Sequence, residues 1–188
     1  MRRALLPLAA VLLVASACAE PPDKELHQAQ GAIDAARAAG AEEYAAAELT
    51  AAQTSLSQAK EAVNQRDYRL ALSHALDAGR SALSAAREAA DQKALVRSES
   101  ERAIAGLAAA VSEAEARVKT LHAARTAAAA LATAETTLTD VSRVLQEART
   151  ALAAEKYLEA RDALKGQLDR MAGLKADLDA ATAPRRRR

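Results

Sequence analysis

The sequence predicts an all-α fold: an elongated antiparallel helical bundle of coiled-coil hairpins, arranged as two related helical units. Three observations point there. No proline occurs from Lys24 to Ala181. Apolar residues in that span recur at spacings of three and four, without the period-two alternation of a strand. Alanine is the commonest residue while Phe and Trp are absent, so helix propensity is abundant and side-chain bulk is scarce. The core must therefore be thin, and stability must come from many small contacts spread along long helices.

The elements follow in order. Pro21 and Pro22 sit in a short tether, 18–23, that no helix runs through. Asp23 is the expected N-cap of a first helix over about 24–39, and Gly40 its C-cap. Tyr44 opens a second helix, about 44–66, whose seam is Leu49, Ala52, Leu56, Ala59 and Val63. A third spans about 68–121, with the seam Ile104, Leu107, Val111, Ala114, Val118 and Leu121. Ser98 and Glu101 have capping-box spacing, which allows a break or kink near Arg97, while a continuous helix stays equally open because Ser is tolerated inside helices. A turn around His122 to Ala130 precedes a helix over about 126–154, with the seam Leu131, Ala134, Leu138, Val141, Leu145, Ala148 and Leu152. A last helix covers about 157–181. Alternating Leu and Ala along such seams lets helices approach closely, large side chain against small.

An internal repeat joins the halves. Leu56, Ala59, Ala62, Tyr68, Ala71 and Ala75 recur 89 residues later as Leu145, Ala148, Ala151, Tyr157, Ala160 and Leu164. Each copy places a tyrosine where one helix ends and the next begins, a position that suits a ring packed across two helices with its hydroxyl in water. The expected organisation is a leader at 1–17, the tether, a first helical unit at 24–97, a second at 98–181 and a basic tail at 182–188.

The amino-terminal segment carries the most specific signal. Met1-Arg2-Arg3 is basic, Ala4 to Ala17 is apolar, and Ala15-Ser16-Ala17 stands before Cys18, the only cysteine. The arrangement resembles the lipobox of lipoprotein precursors, with Ala15 where Leu is usual. It implies peptidase recognition through Ala15, Ser16 and Ala17, lipidation of Cys18 and a mature chain beginning there. An ordinary secretory signal is the alternative reading, since Ala15-Ser16-Ala17 also has the Ala-x-Ala form. The apolar stretch falls short of the roughly 20 residues of a membrane-spanning helix, and Pro7 interrupts it. With Ala19 after the cysteine, the lipoprotein sorting rule implies an outer-membrane lipoprotein facing the periplasm.

Charge is unevenly placed. Setting aside Arg2, Arg3 and Arg185 to Arg188 leaves 20 basic residues between Cys18 and Pro184 against all 25 acidic ones. The body thus carries net negative charge and has no basic stripe for nucleic acid. The tail residues Arg185, Arg186, Arg187 and Arg188, set off by Pro184, are candidate contacts to an anionic surface, a role for which solvation alone is the alternative. His27, His74 and His122 have no second His or Cys at ligand spacing and read as exposed helix residues, so no metal or other cofactor is expected. Neither a Gly-rich phosphate loop nor a nucleophile elbow is present. No catalytic residue and no small-molecule substrate are expected.

From Ala32-Ile33 through Ala38-Ala39-Gly40-Ala41-Glu42-Glu43-Tyr44-Ala45 and Glu48-Leu49 to Ala59, Ala62, Asp67-Tyr68 and Ala71-Leu72, the chain resembles an uncharacterised alanine-rich helical domain of Gram-negative envelope lipoproteins, sometimes fused to OmpA-like domains. The likeness covers about residues 26–95 and implies a place and a fold rather than a reaction. Nothing past residue 95 reads as an OmpA-like domain. Locally, the Asp67-Tyr68 turn is similar to that of tetratricopeptide repeats, without their 34-residue period. The leading expectation is a non-catalytic, lipid-anchored periplasmic scaffold with the membrane as its partner. The alternative is a tetratricopeptide-like adaptor for an envelope protein or peptide; self-association through unused seam residues is a third outcome.

Overall fold

A computed structural model describes residues 20–124 and 128–182. Within them the chain is all-α, a helical bundle of seven helices without a strand. These are α1 (Asp23–Ala38), α2 (Ala41–Tyr44), α3 (Ala46–Asn64), α4 (Tyr68–Ala123), α5 (Ala128–Ala153), α6 (Tyr157–Leu164) and α7 (Gln167–Thr182). Contacts divide the chain into two compact units meeting between Ala86 and Arg87. That boundary falls inside α4, ahead of the expected one at Arg97.

In the first unit, α1 packs on α3. The chain reverses at Gly40, whose left-handed φ of 90° ends α1 without the steric cost a Cβ would bring. Asp23 lies inside α1, after Pro22 at the cap position. The expected second helix is two pieces: α2 makes one turn, then Ala45, at φ −148° and ψ 46°, breaks the helical path before α3. Buried in this unit are Ile33, Leu49 and Leu56 together with alanines of every helix, including Ala71, Ala75, Ala78, Ala82 and Ala85 of α4. Small residues along a helix face let its backbone come close to neighbouring larger side chains.

The second unit has a fuller core. Leu107, Val111, Val118 and Leu121 of α4 meet Leu131, Leu138, Val141 and Leu145 of α5 and Leu164, Met171, Leu174 and Leu178 of α6 and α7 in one cluster. α5 packs on both α6 and α7. The expected single last helix is divided: Lys165 leaves the helical region and Gly166 adopts φ 74°. α7 then starts with the Gly166 carbonyl accepting from the Arg170 N–H at 3.0 Å.

The repeat is written in backbone as well as in sequence. Arg66 and Glu155, 89 residues apart, are the non-glycine residues with positive φ among the described residues, at 61° and 59°. Each closes the same C-cap. The Asp67 N–H donates to the Ala62 carbonyl and the Arg66 N–H to that of Val63, both at 2.9 Å. The Lys156 N–H donates to Ala151 at 2.9 Å and the Glu155 N–H to Leu152 at 3.1 Å. These are the paired 6→1 and 5→2 bonds of a Schellman motif, which satisfy carbonyls a helix end leaves orphaned. Burial repeats too. Ala82, Ala85 and Ala89 are buried in the first copy, and Met171, Leu174 and Leu178 at the matching positions of the second.

No break occurs at Arg97. α4 runs through it, because Ser98 and Glu101 serve as side-chain acceptors instead of caps: Arg97 Nε donates to Glu101 Oε1 at 2.8 Å, and Arg102 to Ser98 Oγ at 2.6 Å. Among the described residues no helix is long and apolar enough to cross a membrane.

Candidate functional site

Two surface features stand out, one in each unit. In the second unit a groove of about 480 Å³ opens between α4 and α7. Ala110 and Ala114 of α4 floor it, with Met171, Ala172 and Leu178 of α7. Alanine at successive turns of α4 removes the side chains that would fill the space between the helices. Two ion pairs cross the rim. Lys175 Nζ donates to Glu113 Oε1 at 2.6 Å, and Arg117 donates to Asp179 Oδ1 at 2.7 Å. The hydrogen bond from Lys175, and then its charge, hold the Glu113 carboxyl below its ordinary range, and Glu113 in turn raises Lys175. The Glu113 carboxylate thus stays ionised and engaged. The groove offers an apolar floor under a charge-balanced rim, chemistry for holding an apolar or amphipathic chain.

The second feature lies on α4 in the first unit. Leu72, Leu76 and Leu83 are 38%, 55% and 56% exposed, although the alanines one face over are buried. Their spacing is the heptad spacing of the core seams, and it was open to the same count; only the helix's second, buried face distinguishes a surface seam from an interior one.

Around the second tyrosine the packing is tight. Tyr157 is buried, with Lys93 Nζ 5.6 Å from its ring centre and 3.3 Å from Glu155 Oε2. Ser100, fully buried, donates from Oγ to the Val96 carbonyl at 2.8 Å and lies 3.3 Å from that of Tyr157. Periodicity did not single out this serine, since Ser reads as a solvated helix residue. Arg97 is raised further by its hydrogen bond to Glu101. Tyr68, the first-unit counterpart, is half-buried.

Of the residues the sequence singles out, Cys18, Ala15, Ser16 and Ala17 and the tail Arg185 to Arg188 lie outside the described residues. His27 and His122 are exposed and His74 is half-buried. His122 Nε2 sits 2.6 Å from Glu135 Oε1. Among the described residues no group of three or more His, Cys, Asp or Glu side chains gathers as metal ligands would.

No protein-family model, curated protein or solved structure matches the chain. The likeness to the envelope lipoprotein domain rests on the residues quoted for it above.

Proposed function

We propose that this chain is a non-catalytic lipoprotein of the Gram-negative envelope, anchored through Cys18 and presenting its helical units to the periplasm as a scaffold. The observation that carries the reading is the lone thiol behind Met1-Arg2-Arg3, an apolar run and Ala15-Ser16-Ala17. Three acyl chains, each contributing about 0.8 kcal/mol per buried methylene, hold such a protein at the bilayer without a spanning helix. Ala19 directs it to the outer membrane by the sorting rule. The helices add support: α1 begins at Asp23, directly after the proline tether. The groove and the exposed leucines are surfaces for contact. The Glu113 carboxylate at the groove's rim is held below its ordinary range by Lys175, which leaves it a poor general base. Replacing Cys18 by Ser and fractionating cells tests the anchor: the protein moves to the soluble periplasmic fraction, and a processed variant that stays with the membrane refutes it.

The exposed Leu72, Leu76 and Leu83 favour a second reading, an adaptor whose α4 face receives an envelope protein. Cross-linking in intact cells followed by capture of the chain tests it. A reproducible heterologous partner whose cross-link is lost on replacing these leucines supports the adaptor; none across repeated captures removes it.

A further inference from the structure

We draw no further inference here: the strongest candidate, the alanine-floored groove between α4 and α7 of the second unit, carries none, because the charges on its rim pair with one another and nothing in the structure shows what covers it.

Discussion

Arg66 and Glu155 sit in a conformation that costs an L-residue with a Cβ about 1–2 kcal/mol. Glycine escapes that cost but adds about 0.5–1 kcal/mol of conformational entropy to the unfolded chain. The difference leaves Arg66→Gly about 0.5–1 kcal/mol more stable than the parent. Its side chain makes no hydrogen bond or ion pair among the described residues, so nothing offsets the gain. Glu155→Gly also gives up the exposed pair with Lys93 at 3.3 Å; such pairs contribute about 0.2–1 kcal/mol, and the net gain shrinks to roughly 0–0.5 kcal/mol. Because the two turns lie in separate units with no shared partner, the double variant sums the single ones. Urea unfolding followed by circular dichroism reads these differences, provided the slope with denaturant is unchanged. Arg66→Ala is the control, since alanine keeps the Cβ and so stays within a few tenths of a kcal/mol of the parent. If Arg66→Gly lowers stability, or Arg66→Ala gains as much as glycine does, the strain assigned to these caps is absent.

Three further outcomes are expected. Ile33→Ala, at a fully buried position in a unit whose other buried residues are mostly alanines unable to refill the space, costs about 2–5 kcal/mol in urea unfolding; a loss below 1 kcal/mol would mean that the site collapses freely. Ser100→Leu forces a large side chain into a fully buried position whose hydroxyl already lies 3.3 Å from the Tyr157 carbonyl, and lowers stability by about 1–3 kcal/mol. The coupling between Glu113 and Lys175, measured by a double-mutant cycle, is present at neutral pH. Because the carboxyl is depressed in the fold, its contribution is complete above the ordinary carboxylate value of 4.5 and fades as pH falls through the folded value. On the alkaline side, the raised Lys175 keeps its contribution up to 10.5 and loses it as pH climbs through its folded value. Coupling that persists unchanged in strong acid would contradict the ion pair.

Much of the fold was legible because Leu and Ala at heptad spacing encode the same thing locally and globally. The seam from Leu131 is buried as far as Ala148, with its last member Leu152 half-buried, and Gly40 ends α1 where its composition says it should. Whether α4 breaks near Arg97 was open in the sequence, because a cap is set by backbone geometry, and within the continuous helix the oxygens of Ser98 and Glu101 serve arginines instead. The failures have physical causes. Gly166 breaks the last helix, although an isolated glycine in helical pattern is usually tolerated. Arg66 and Glu155 at left-handed φ are hidden from sequence, since neither is a residue that favours that region. The surface seam on α4 was readable as a pattern but not as a surface, because periodicity marks an apolar face without saying what covers it. The anchor is the reverse case: its residues lie outside the described ones, so it is carried by sequence alone.

Intact-mass and amino-terminal peptide analysis of the protein isolated from its native membrane tests the central claim most directly. The account predicts a chain that starts at Cys18 and bears a thioether-linked diacylglycerol with a further acyl group on its amine. A native protein whose amino terminus is any other residue, or a free unmodified Cys18, would contradict it.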